Sequence, residues 1–180
     1  MTLADVTAWL DTRPTLAHAL GIELTALHPD GRLEGRMPVD GRTHQPMGLL
    51  HGGASVALAE TLGSVAATLQ LPDRSKQTAV GLEINANHVR GVRGGWVRGV
   101  AAPVHVGRAT QIWEIRITEE ATDKLVCISR LTMAVIDLPP IVATPSTSAA
   151  STRPCPSFCS QPTAPFPMPS KRRRAARLRI

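Results

Sequence analysis

Apolar and polar residues alternate along four stretches in the second half of the chain, and a proline-free segment with apolar residues at helical spacing precedes them. In residues 79–90, Val80, Leu82, Ile84 and Ala86 fall on one side and Glu83, Asn85 and Asn87 on the other, which predicts a strand. Residues 96–106 follow the glycine-rich turn at 91–95. Residues 111–118 follow Gly107 and alternate Trp113, Ile115 and Ile117 with Glu114 and Arg116, and residues 125–136 follow a polar turn at 119–124. Nearer the start, residues 22–28 and 32–39 flank Pro29-Asp30-Gly31, a turn sequence that predicts a hairpin. Residues 2–20 read as two helical pieces that cover the open sheet: Thr2 and Asp5 are spaced as a capping box, Pro14 opens the second piece and Gly21 closes it. The long helix begins near His51, and Ala54 to Gln70 contains no proline, with Leu58, Leu62, Val65 and Leu69 as its core stripe. One long helix with two strands before it and four after predicts an α+β fold, an antiparallel sheet wrapped around a central helix.

The opposite face of that helix carries the candidate chemistry. Gly53, Val56, Ala57, Glu60, Ser64 and Ala67 share it, so a lone carboxylate projects from a surface of small side chains. Burying an unpaired carboxylate costs several kcal/mol, and no Lys or Arg stands three or four residues from Glu60. At the helix start the backbone amides of Gly52 and Gly53 point outward, with the positive end of the helix dipole behind them. A carbonyl oxygen seated there, with the Gln45 amide as a further donor, would be polarised while Glu60 attacked it or activated a water. The implied chemistry is acyl transfer. Glu60 lies eight residues along the helix from Gly52, about 12 Å at 1.5 Å per residue, too far to act on one carbonyl within one chain. Two copies of the helix lying antiparallel would bring acid and amides together, so the sequence predicts a homodimer with shared sites, its seam lined by the Asn85 and Asn87 amides.

The segments Met37-Pro-Val-Asp40, Gln45-Pro46, the run 48–55, Leu58-Ala-Glu60, Gly63-Ser64, the run 81–90 and Ser129-Arg-Leu-Thr132 carry a family likeness. Residues 32–136 resemble the hotdog-fold acyl-CoA thioesterases, most closely the PaaI-like subgroup containing 1,4-dihydroxy-2-naphthoyl-CoA thioesterase of menaquinone biosynthesis and the enterobactin-pathway proofreading thioesterase. The resemblance implies that Glu60 is the catalytic carboxylate, that Gln45 and the Gly52 amide orient and polarise the thioester carbonyl, and that His51 and Ser64 assist. It implies an acyl-CoA substrate held at Gly81, at His88, Val89, Arg90 and Gly91, and at the turn of His105, Val106, Gly107 and Arg108. These two groups, with Arg93, read as one basic rim for the coenzyme phosphates. Members of the family commonly pair dimers into tetramers. A broader hydroxybenzoyl or phenylacetyl thioesterase, and a non-catalytic acyl-CoA binding module, are the alternatives.

Composition divides the chain in two. Residues 138–180 hold 7 of the 20 Lys and Arg and none of the 14 Asp and Glu, which leaves 13 minus 14, a net charge of −1, for residues 1–137. The high pI therefore belongs to the tail, whose Pro, Ser and Thr content predicts a disordered appendage with a basic end to a domain at 1–137, helical over 1–21. Nothing catalytic is expected of it, and nucleic acid is not an expected partner. Both phenylalanines also lie there, so an aliphatic core is expected. Cys127, Cys155 and Cys159 make no disulfide framework, and His44, His51, His88 and His105 lack the spacing of a metal site, so no metal or cofactor is expected. With no apolar run of about 20 residues and no signal-like start, the chain reads as cytoplasmic.

Overall fold

The computed structural model describes residues 1–139. The expectation for the tail lies, from residue 140 on, outside the described residues. Two short helices, α1 (Leu3–Leu10) and α2 (Leu16–Leu20), lead into a hairpin of β1 (Glu23–Leu27) and β2 (Leu33–Pro38). The long helix α3 (Gly52–Leu69) follows, and then β3 (Gln77–His88), β4 (Trp96–Val106), β5 (Thr110–Glu119) and β6 (Leu125–Asp137). All the strands join one antiparallel sheet in the order β1-β2-β4-β5-β6-β3.

Local chemistry accounts for the elements. The Thr2 hydroxyl accepts from the Asp5 amide and the Asp5 carboxylate accepts from the Thr2 amide, a reciprocal cap on α1. Gly21 ends α2 at φ 69°, a left-handed position that glycine takes without strain. The second helix opens from Thr15 rather than from Pro14. Asp30 accepts from the Arg32 amide inside the turn that joins β1 to β2. Helix α1 packs against β1, and α2 against α3.

The sheet wraps α3 through an approach that the hydrophobic pattern does not reveal. Gly35 of β2 pairs directly with Gly99 of β4, and Leu62 lies over both. A Cβ on Gly35 would fall 2.8 Å from Leu62 Cδ2 and 2.8 Å from the Glu23 carbonyl oxygen, and one on Gly99 would fall 2.7 Å from Leu62 Cδ1. From the helix side, Gly63 admits Leu131 in the same way. The fully buried Leu58, Leu62, Ile115, Ile117 and Leu131 fill the space between helix and sheet.

Three expectations require correction. The core is not purely aliphatic, because Trp113 is its largest fully buried side chain; its indole N–H donates to Gln111 Oε1 (3.0 Å), and Gln111 Nε2 donates to the Ala67 carbonyl. Ala67, seven residues on from Glu60 along the same side of the helix, is accordingly buried rather than part of an open face. In β3 a bulge between Gly81 and Glu83 shifts the alternation by one residue. Ile84 and Ala86 pack on the core, Val80 and Leu82 are exposed, and Asn85 and Asn87 lie on the outer face beside Glu114 and Arg130.

Replacing Gly35 by alanine drives a methyl group against a fixed backbone carbonyl and is expected to cost about 1–3 kcal/mol. It is read as a lower urea midpoint at an unchanged m-value.

Candidate active site

The approach to α3 is a fastened loop. Thr43 is buried and donates its hydroxyl to the Pro38 carbonyl (2.9 Å), while Arg42, hydrogen-bonded to Asp40, holds that carboxyl below the usual carboxylate range. The Gln45 amide donates to the Leu49 carbonyl and the Gly48 amide to the Gln45 carbonyl, closing a tight turn in which Gly48 has φ 72°. Gln45 Oε1 accepts from the Met47 amide, so its Nε2 is the group left to donate outward. The Leu50 amide then donates to the Val92 carbonyl, and the His51 amide to the Thr43 carbonyl.

His51 is the N-cap of α3. Its Nδ1 accepts from the Gly53 amide at 2.8 Å. The expectation of two free amides is corrected by this bond: Gly53 is already satisfied, and Gly52 alone keeps an N–H without a partner among the described residues. Through this bond the His51 ring holds the helix start by its Nδ1.

Glu60 and Ser64 stand one turn apart on the half-buried face of α3, with Ser64 Oγ 3.5 Å from Glu60 Oε1 and 4.0 Å from Met133 Sδ. Among the described residues Glu60 has no ion-pair partner. Facing it from β3 is Gly81, where a Cβ would fall 2.7 Å from Glu60 Oε1. The bulge beside Gly81 and the absence of a side chain on it together make room for the carboxylate, and neither is visible in a hydrophobic pattern.

Helix α3 and strand β3 run antiparallel side by side, so one seam joins several of the singled-out residues. At one end the His88 ring lies over Gly52, its Nε2 2.8 Å from where a Cβ on Gly52 would sit. Val89 and Arg90 follow, both amides donating to the Val126 carbonyl, with Val89 and Arg90 exposed; Leu49 packs 3.3 Å from the Cβ position of Gly91. Glu60 and Gly81 meet midway along the seam. The turn with His105, Val106, Gly107 and Arg108 lies elsewhere, beside Gln70, Leu71 and Pro72 just past the other end of α3, where it lines a cavity of about 480 Å³. His105 folds back over Gly107, whose amide donates to the Thr110 carbonyl. The two groups expected to form one basic rim therefore sit at opposite ends of the helix within one chain.

Gly52 and Glu60 are likewise kept apart, since both belong to the one straight helix of 18 residues. Within a chain the arrangement offers a carboxylate in a groove of small residues and, separately, an amide donor beside an imidazole. Among the described residues no cluster of three His, Cys, Asp or Glu is placed to hold a metal, and no helix is long and apolar enough to cross a membrane.

Known proteins share this architecture. Residues 47–126 match the model of the thioesterase superfamily. The proofreading thioesterase EntH of Cronobacter turicensis is 57% identical over 122 residues, covering 68% of this chain and 86% of that protein. The 1,4-dihydroxy-2-naphthoyl-CoA hydrolase of Escherichia coli is 57% identical over 107 residues, covering 59% and 76%. Among solved structures, a mutant of thioesterase PA1618 from Pseudomonas aeruginosa superposes with a TM-score of 0.71 at 48% identity, covering 77% of this chain and 96% of that one. With the wrapped helix and the antiparallel sheet on the page, these matches settle the family: the chain belongs to the thioesterase superfamily, has the hotdog fold, and is a thioester hydrolase.

Proposed function

We propose that the protein hydrolyses an aromatic acyl-CoA thioester to the free acid and CoA, with 1,4-dihydroxy-2-naphthoyl-CoA the leading substrate, at sites shared between two copies of the chain. The observation that carries this reading is Glu60 in its groove, with no counter-ion among the described residues and with Gly81 giving it room. The relatives named for naphthoyl-CoA hydrolysis and for proofreading thioesterase activity support the acyl class. That activity would place the chain in menaquinone biosynthesis, a cytoplasmic pathway. Hydroxybenzoyl and phenylacetyl thioesters are close enough in chemistry to belong in the same assay.

The chemistry follows from the groups available. The thioester carbonyl oxygen sits at the Gly52 amide of one copy, within reach of Gln45 Nε2. Glu60 of the other copy either deprotonates a water that attacks, or attacks directly to give a mixed anhydride that a water then hydrolyses, which frees the acid, restores the carboxylate and supplies the proton. Negative charge moves onto the carbonyl oxygen, where the amide and the end of the helix dipole stabilise it. Collapse breaks the C–S bond, and the departing thiolate takes up the proton. Ser64 supports the carboxylate, and His51 keeps the helix start in shape.

One two-fold rotation satisfies several requirements at once. Laying two α3 helices antiparallel puts Glu60 of each against Gly52 of the other. It also moves residues 88–91 of one copy to the end of the seam where residues 105–108 of the other lie, which assembles the basic rim across the pair. The coenzyme phosphates bind there while the pantetheine arm runs inward. A further pairing of dimers into a tetramer agrees with the family habit.

Glu60→Ala is expected to lower kcat by about 10²–10⁴-fold while leaving CoA-ester binding in place, measured by thiol release and by equilibrium binding. Wild-type turnover by this variant rejects the assignment. Shared sites are tested by mixing Glu60→Ala with Gly52→Val, each inactive alone. Random reassociation gives heterodimers in which one site collects both defects and the other has none, so activity should return to about a quarter of wild type. No recovery after confirmed subunit exchange would place both groups in one chain.

A further inference from the structure

Two segments meet beside the start of α3. One is the loop at 39–51, which carries Gln45 and ends at the His51 cap; the other, residues 89–95, joins β3 to β4 and carries Arg90 and Arg93. Backbone bonds join them at both ends, the Val39 amide donating to the Gly95 carbonyl at 2.9 Å and the Leu50 amide to the Val92 carbonyl at 2.8 Å. Val92 is buried and Leu50 packs on the core, so the second bond is anchored from beneath. Among the described residues one side-chain hydrogen bond also joins the two segments: His44 Nε2 stands 3.1 Å from the Arg93 carbonyl oxygen. A carbonyl only accepts, so Nε2 is the donating nitrogen, in the neutral ring and in the imidazolium alike.

The backbone around His44 is held on every side. Its amide donates to the Asp40 carbonyl at 3.0 Å, and it faces Leu50 in an isolated antiparallel bridge. On either side of it the His51 amide donates to the Thr43 carbonyl and the Gln45 amide to the Leu49 carbonyl, each at 2.8 Å. The half-buried ring and the Gln45 side chain that follows it therefore shift together or not at all. The same loop ends at Gly52, whose amide is the other carbonyl donor and over which the His88 ring lies. The donors of the carbonyl site and the basic residues at 88–93 are thus two faces of one laced strip within a single chain.

We propose that His44 is a positioning residue, which by donating to the Arg93 carbonyl ties the segment that meets the coenzyme phosphates to the turn that presents Gln45. The inference rests on the reading above, in which residues 88–93 hold the coenzyme end and Gln45 and Gly52 hold the thioester carbonyl. Binding at the remote end of a substrate raises turnover only if it is converted into alignment at the reacting centre. Arg93 is exposed on a loop that includes two adjacent glycines, and the His44 bond makes its backbone continuous with the catalytic turn. Coenzyme phosphates that fix Arg93 thereby fix the direction of Gln45 Nε2. An ester that lacks them leaves that tie unused.

The test measures kcat and KM separately for benzoyl-CoA and for the benzoyl thioester of N-acetylcysteamine, which keeps the reacting bond and lacks the phosphates. The full-length chain is compared with His44→Ala and His44→Gln. In His44→Ala, kcat for benzoyl-CoA is expected to fall about fivefold, the worth of one neutral hydrogen bond, with KM nearly unchanged and kcat for the short ester unaltered. His44→Gln keeps an N–H donor and is expected to return the ratio of the two kcat values toward wild type. Taking that ratio within one preparation cancels any loss of folded protein. An unchanged ratio in His44→Ala overturns the proposal, as does a rise in KM alone or a glutamine variant as impaired as alanine. An unchanged KM for benzoyl-CoA in the double variant Arg90→Ala, Arg93→Ala instead refutes the placement of the phosphates on which the inference rests.

Discussion

The seating of Leu62 over the paired glycines Gly35 and Gly99 governs how near α3 can lie to the sheet, and the position of every group at the site follows from that distance. With the helix so close, the side that meets the sheet has room only for buried apolar and small residues, and Leu58, Ala59, Leu62, Gly63 and Ala66 occupy it. A carboxylate cannot be accommodated there without the cost of burying an unpaired charge. It must project at the margin, where α3 runs beside β3. Space exists at that margin because Gly81 has no side chain and the adjacent bulge turns Leu82 outward. Close packing in the core and an open groove at its edge are thus made by the same device, a glycine wherever helix and strand come nearest. Gly52 repeats it at the helix start, where the missing Cβ lets the His88 ring lie over the first turn.

Much of this was legible from the order of residues. The periodicities of 3.6 and 2 that mark α3 and the six strands arise from burial of one face, and burial of one face is what a sheet wrapped around a helix imposes. Capping at Thr2 and the turn at Asp30 and Gly31 are local chemistry and were readable for that reason. Glu60 stood out because a lone carboxylate among alanines conflicts with its surroundings, and such conflicts mark sites. The features that escaped notice depend on long-range pairing. No local signal says that Gly35 will face Gly99, that Gln111 will reach the Ala67 carbonyl, or that a bulge will reverse the faces of Val80 and Leu82. The separation of the two halves of the expected basic rim within one chain was hidden for the same reason. Residues 88–91 and 105–108 are near in sequence, but the pairing of β3 with β6 and of β4 with β5 sends them to opposite ends of α3. The Gly53 amide was counted as free because a histidine at the N-cap reads as a candidate for chemistry before it reads as a cap.

The two edges of the sheet differ in a way that bears on the proposed pairing. Strand β1 has five residues, carries a bulge between Leu24 and Ala26, and sets Glu23 against Arg36 of its neighbour. Short length, a bulge and charge are the usual means by which an edge is kept from pairing with another chain. Strand β3 has 12 residues, no proline and one charged side chain, Glu83, and it exposes Val80 and Leu82. An edge of that length with its hydrogen-bonding groups unpaired invites a second strand, and the strand of matching length and register at hand is β3 of another copy. Pairing β3 with β3 about a two-fold axis makes one continuous sheet and lays the two α3 helices antiparallel alongside it, because α3 is antiparallel to β3 within each chain. In the proposed pair, this arrangement is the one that brings Glu60 of one copy toward Gly52 of the other. On the proposed function, the open edge and the separation of acid and amide belong together: with Glu60 and Gly52 on the same helix, β3 is the strand through which a second helix could be brought beside the first.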